Sequence, residues 1–212
     1  PGPHGGVSFA APYALPSRAE IAGRLRDPAA LARADVTRFD DAEFAAAEPV
    51  LKAAAVLVPI VWHAAGPGIL LTLRSARLSA HAGQVAFPGG RLEPGESAEA
   101  AALREAAEEV GLDPRLPLLS GVLPEHRTGT GYRVTPVVAF IDPPLELTPD
   151  PSEVAAIFEL PLATVLDPAA PMRRRSEWRG RMREYWVWPH EEHLIWGATA
   201  TILMNLARVL RG

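Results

Sequence analysis

The chain has 212 residues, a formal net charge of −4 and a sequence pI near 5.9. That length suits one domain with a sizeable core, and the mild acidity argues against nonspecific nucleic-acid binding, which needs a basic surface. There is no cysteine, which excludes disulfides, thiolate metal sites and a cysteine nucleophile and fits a reducing, cytoplasmic setting.

The opening residues, 1–16, are rich in Pro and Gly and read as a flexible tail. Its start, "PGPHGGVSF", lacks the basic-then-apolar order of a secretory signal. From residue 17 to 212 the chain reads as a single domain, with a core at about 50–165 and helical extensions on either side. Ser17 with Glu20 three residues later forms a capping box, so a short helix starts there; Asp27-Pro28 ends it, and a second short helix follows over about 28–34. Residues 35–52 are mixed and read as a loop with a helical turn.

Two apolar runs, "AAVLVPIVW" (54–62) and "GILLTLRS" (68–75), flank "AAGPG" and predict a β-hairpin. "GQVAFPGG" (83–90) reads as a third strand ending in a Pro-Gly-Gly turn. Residues 97–110 predict an alanine-rich helix with Ser97 as N-cap and Gly111 as its stop. "LLSGVL", "VTPVVAFI", "VAAIFEL" and "REYWVWPH" follow as strands. A terminal helix carries apolar residues at Ile202, Leu203, Leu206 and Leu210. "PMRRRSEWRGRMRE" (171–184) is a basic patch, read either as a solvated loop or as a docking surface for anionic groups. No uncharged apolar run approaches the ~20 residues that span a bilayer, so no membrane partner is expected. The order of elements predicts an α/β (α+β) fold, a mixed sheet with helices on both sides.

The helix 97–110 carries Glu105, Glu108 and Glu109 at i, i+3 and i+4, a spacing at which like charges repel. On a wheel of about 100° per residue Glu109 lies near 40° and Glu108 near −60° from Glu105. Ala98, Ala101 and Ala102 share that sector and predict a small-residue strip leaving room for a ligand, while Leu103, Ala106, Ala107 and Val110 face the other way, toward the sheet. Arg104 can neutralise Glu108 four residues on. Glu105 and Glu109 then lack a local cation, a need that a hard divalent ion such as Mg2+ meets together with phosphate oxygens.

Read from Gly90, "GRLEPGESAEAAALREAAEEVGL" places Glu96, Arg104-Glu105, Glu108-Glu109 and Gly111-Leu112 at the spacing of a Nudix box. The chain resembles the Nudix hydrolases, which cleave diphosphates linked to another moiety. The resemblance implies the Nudix fold, with the box as loop–helix–loop. It implies metal ligands at Glu105 and Glu109, with Glu108 close by and the carbonyl of Gly89 joining them. Arg104 and Glu96 hold the loop, and glycines 89, 90 and 95 let it fold tightly. The implied chemistry is displacement at phosphorus by a metal-bound water, with Mg2+ as cofactor and Mn2+ as a substitute. The assisting base is Glu105, Glu153 of "DPSEV" or Glu125 of "LPEHRTGTGY".

A second resemblance lies just upstream. "LLTLRSARLSAHAGQVAFPGG" (70–90) is similar to the segment preceding the box in the coenzyme A pyrophosphatase branch, as are "TGTGYRVTPVVAF", "EVAAIFELPL" and "IWGATATIL". That branch implies hydrolysis of coenzyme A and its derivatives to 3′,5′-ADP and 4′-phosphopantetheine, and a homodimer is compatible with the family. Arg74 and Arg77 are candidates for phosphate contact, or Arg74 for holding a turn. His81 is a phosphate contact or a structural hydrogen-bonder. Gln84 and Phe87 read as strand packing, and the tryptophans as core or as one adenine-stacking platform. The rivals are a Nudix pyrophosphatase for NADH, ADP-ribose or an oxidised nucleoside triphosphate, and a Nudix-fold binding module without catalysis. A small-molecule substrate, with neither nucleic acid nor membrane, is the expected partner.

Overall fold

The computed structural model describes residues 14–34, 51–78, 81–178 and 181–211. Most of the N-terminal tail and the turn expected within 35–52 lie outside the described residues. Helix α1 (Arg18–Arg24) begins where Ser17 and Glu20 close the capping box, and α2 (Pro28–Leu31) begins on the Asp27 cap with proline at its first position. Strands β1 (Lys52–His63) and β2 (Gly66–Arg74) form the expected hairpin, with His63 opposite Gly66.

The third strand departs from expectation. "GQVAFPGG" splits into β3 (Val85–Ala86), on β2, and β4 (Gly89–Arg91), on β1. Phe87 and Pro88 cross between them, and the Pro88 carbonyl accepts from Leu57 N–H at 2.8 Å. The Pro-Gly-Gly is thus a strand transfer, because β1 leaves β2 below Ile60 and has an edge open for new pairing over Ala54–Val56.

Helix α3 (Ala98–Val110) is capped by Ser97, whose hydroxyl accepts from Ala100 N–H, and stops at Gly111 with φ +68°. Strands β5 (Leu118–Val122), β6 (His126–Arg127) and β7 (Tyr132–Ile141) follow, then β8 (Val154–Pro161) and the short α4 (Leu162–Leu166). β1 and β7 run parallel from Lys52 opposite Tyr132 to Val61 opposite Ile141. Every other pairing in this eight-stranded sheet is antiparallel, so the sheet is mixed.

Residues 171–184 are a correction. They form most of a β-hairpin, β9 (Met172–Trp178) with β10 (Arg181–Trp188), which is joined by β11 (Ile195–Trp196) into a second sheet. Charge runs read as loops, but here alternation decides. Arg173 and Arg175 project on the same side as Glu184 and both pair with it, and Arg173 also lies over the Trp186 ring. Helix α5 (Gly197–Arg211) closes the chain.

The main sheet is covered on both faces. On one, Ala55, Leu57, Val137, Ala139 and Ile141 pack under α3. On the other, Val58, Ile60, Val138 and Phe140 share a larger core with Ile21, Leu162 and the apolar face of α5. Thr199 of α5 donates to the Val85 carbonyl at 2.8 Å, tying that helix to β3. No helix among the described residues is long and apolar enough to cross a membrane.

Candidate active site

The predicted wheel is rotated in the fold. Ala101, Ala102, Ala106, Glu109 and Val110 are the buried residues of α3, while Leu103 and Ala107 are only half-buried. The alanine strip therefore brings the helix close to the sheet and leaves no ligand space, correcting that expectation. The apolar residues under it, Ala55 and Leu57, are better covered by methyl groups than by the charged side of the helix. Glu109 shares the buried sector and is 3% exposed.

This placement sets the chemistry of Glu109. One carboxylate oxygen accepts from Gly89 N–H at 3.2 Å, and the other lies 3.6 Å from Arg74 Nη1. Burial pushes its carboxyl up to about 7; the Gly89 N–H and Arg74 counter this, while the charges of Glu153 and Glu105 add to it. Glu105, half-buried, is also raised, by burial first, with Arg104 opposing. Glu108 is exposed.

Arg104 is the hub of the loop–helix junction. It donates to both Glu96 oxygens at 2.9 and 3.0 Å, to Glu105 at 2.9 Å, to Glu108 at 3.2 Å and to the Arg91 carbonyl at 3.0 Å. Its pKa is raised by the hydrogen bonds to Glu96 and then Glu105, and the Glu96 carboxyl is lowered in return by Arg104. The expectation that Glu105 lacks a local cation is thus corrected, while for Glu109 the cation is supplied from afar. Arg104 reaches Glu105 as well as Glu108, and Arg74 reaches Glu109 from a strand remote in sequence.

Of the two glycines that open the box, Gly89 is required by neighbouring backbone, and Gly90 leaves room for a side chain. A Cβ on Gly90 would fall on the Glu105 carboxylate, and one on Gly89 would run into Val56 and the Ala55 carbonyl. Glu153 arrives from the loop before β8. Its carbonyl accepts from Ser75 N–H at 2.7 Å, and its charge acts on both Glu105 and Glu109. Glu125 is half-exposed and sits 3.5 Å from Arg133; it does not figure among the charges acting on Glu105 or Glu109.

Sequence reading missed Asp150. Its N–H donates to the Glu109 carbonyl at 2.9 Å, its side chain accepts from Ser152 N–H and hydroxyl at 2.8 and 2.7 Å, and its carbonyl accepts from Glu153 N–H at 3.0 Å. This turn fastens Glu153 to the end of α3. The Asp-Pro-Ser-Glu string was the available signal, since Asp favours such self-capped turns.

Upstream, His81 is exposed with φ +57°, and its Nδ1 lies 2.9 Å from Gln84 Oε1, a turn-holding contact. Arg77 is exposed, and Phe87 is core. Trp188 is buried and donates to the Ala200 carbonyl at 3.0 Å, Trp62 packs edge-on against Phe140, and Trp196, partly exposed, lies against Tyr185.

The donor set is all oxygen, suited to a hard divalent ion. Glu109 is the telling member, a buried carboxylate with one N–H and one long guanidinium contact, short of the compensation such a charge needs. Among the described residues no three His, Asp or Glu side chains are gathered at ligating geometry; Glu105 is paired with Arg104 and Glu109 with Arg74.

The NUDIX domain family matches residues 51–179, more than half of the chain. The chain belongs to the Nudix family. The Uncharacterized Nudix hydrolase NudL of Escherichia coli (strain K12) is 47% identical over 155 residues, 73% of this chain and 80% of that protein. The protein of the same name from Citrobacter koseri is 46% identical over the same length. Among solved structures, the Nudix hydrolase RenU from M. smegmatis matches with a TM-score of 0.47 and 27% identity, over 55% of this chain and 74% of that one. The protein is a Nudix hydrolase of the pyrophosphatase type. Nudix hydrolases generally use divalent ions such as Mg2+ and act on small molecules.

Proposed function

We propose that this Nudix hydrolase cleaves the diphosphate of coenzyme A and its derivatives to 3′,5′-ADP and 4′-phosphopantetheine. One observation carries the reading. The segment 70–90, which resembles the coenzyme A branch, meets the box at a single buried carboxylate. Arg74 near its start and Gly89 at its end both contact Glu109, which supports reading the segment as part of the site.

Glu105 and Glu109, with Glu108 and the Gly89 carbonyl, would hold Mg2+, or Mn2+ in its place. When bound, the ion offsets phosphate charge and acidifies a water. The protein's own residues do the rest. Arg104 orients Glu105, Gly90 leaves space for that carboxylate, and Arg74 offers a guanidinium to the diphosphate. Glu153, fastened beside Glu109 by the Asp150 turn, is the general base. Continuity of the larger core from Ile21 to Leu210 supports treating 17–212 as one domain.

The test is product identification by mass spectrometry with Mg2+ and coenzyme A, NADH, ADP-ribose and nucleoside triphosphates as competing substrates. The expected result is 3′,5′-ADP and 4′-phosphopantetheine formed fastest. Faster turnover of any other substrate rejects the coenzyme A reading. No turnover with Mg2+ or Mn2+ favours the binding-module reading instead.

A further inference from the structure

The two arginines of the site are used very differently. Arg104 makes five donor contacts of 3.2 Å or less, to Glu96 twice, Glu105, Glu108 and the Arg91 carbonyl. Its guanidinium is saturated and its role is to hold the loop. Among the described residues Arg74, with a side chain 24% exposed, has an ion pair of 3.6 Å to Glu109 and a buried Nε with no hydrogen-bond partner. A guanidinium carries five N–H donors in a fork suited to paired oxygens. Glu109 does not fill that fork: Arg74 Nη1 lies 3.6 Å from one of its oxygens, and the other accepts from Gly89 N–H.

The backbone of Arg74, in contrast, is firmly held. Its N–H donates to the Gln84 carbonyl at 2.9 Å, its own carbonyl accepts from Gly83 N–H at 3.1 Å, and the next residue, Ser75, donates to the Glu153 carbonyl at 2.7 Å. The register of β2 on β8 shifts between Leu73 and Arg74, and the Arg74 side chain reaches Glu109. A fixed backbone with an unsaturated guanidinium among carboxylates is the arrangement of a cation that can exchange one anion for another.

We infer that Arg74 and the divalent cation are alternative counter-ions of Glu109, and that Arg74, displaced from the carboxylate, becomes the clamp on the substrate's diphosphate. This rests on the proposed reading of Glu109 as a metal ligand. Two cations at one largely buried carboxylate repel each other with little screening. Adding the diphosphate removes the conflict, since it supplies oxygens to both. Cation and diphosphate therefore bind cooperatively, and the coupling passes through Arg74.

Opposite signs in two binding measurements test this without turnover. Mn2+ binding is followed by the electron paramagnetic resonance signal of the free ion. Imidodiphosphate, whose P–N–P bridge resists hydrolysis, is titrated calorimetrically at saturating Mn2+. Arg74→Gln should bind Mn2+ alone about threefold or more tighter and imidodiphosphate about tenfold weaker. Arg74→Lys keeps a point charge beside Glu109 but lacks the fork; it should bind Mn2+ nearly as the wild type does and imidodiphosphate weakly. It decides the question if the Gln variant does not fold. Weakening of both ligands in Arg74→Gln would show a merely structural arginine and overturn the inference, as would no change in either. Wild-type protein that takes up no Mn2+ would overturn the metal reading of Glu109, and the inference with it.

Discussion

On one face of the sheet, α5 buries Ile202, Leu203, Met204, Leu206, Val209 and Leu210; on the other, α3 buries three alanines, Val110 and a glutamate. Both helices are amphipathic, and the two apolar cores they help to form lie on opposite faces of the main sheet. α5 fills its face with large side chains and is held by area removed from water. α3 fills its face with methyl groups, sits closer to the sheet, and uses that closeness to bring Glu109 onto Gly89 and Glu105 onto Gly90. Large apolar side chains are concentrated on one side of the sheet and the box carboxylates on the other, and substitutions on the two sides should separate accordingly.

The sharpest separation is expected from Glu109→Gln. Turnover should fall by about 10²–10³-fold, the usual loss for a central charged group of a phosphoryl site, while the folded state persists. Activity within a few-fold of wild type would remove Glu109 from the metal site. On the opposite face, Leu203→Ala should cost about 2–5 kcal/mol by leaving a cavity, read by urea unfolding, with kcat per folded molecule unchanged. A kcat that fell in step with stability would mean the two faces are coupled.

Charge sharpens the same contrast. Glu109 has its carboxyl raised from 4.5 to about 7 in the fold. A group raised in this way binds its proton more tightly when folded. Its stabilising contribution is fully present below the unfolded value and is lost as pH climbs through the folded one. The loss is about 3 kcal/mol, set against zero for glutamine. Unfolding free energies of wild type and Glu109→Gln, measured in chelator between about pH 5 and 8, should diverge in favour of the glutamine as pH rises. Parallel curves would show that Glu109 does not titrate in this window.

The smallest effect is expected at Gly90. Its backbone is not in the left-handed region, so Gly90→Ala acts only through the methyl that displaces the Glu105 carboxylate. Turnover should drop about tenfold, with the melting temperature shifted by no more than about 4–8 °C. Full activity in that variant would show that Glu105 need not lie against Gly90.

The box spacing, Ser97 and Gly111 as helix limits, the β1–β2 hairpin and the terminal helix were all legible along the chain, because each depends on residues a few positions apart. What was not legible depends on partners far away. The wheel placed Ala101 and Ala102 beside a ligand, but the sheet turned them inward. No cation for Glu109 was legible nearby along the chain, and the one that faces it, Arg74, comes from β2. "GQVAFPGG" read as one strand because nothing local reveals that β1 changes partner beneath it.

Sequence by itself determined the chemistry of this protein: three acids, one arginine and two glycines at Nudix spacing, since the covalent order sets which groups share a helix turn and a tight loop. Only the tertiary structure decided which acid is buried, which cation faces it and which later loop delivers Glu153. Burial and charge pairing are set by what packs across the sheet, and the Arg74–Glu109 and Ser75–Glu153 contacts join segments that meet only when the sheet has formed.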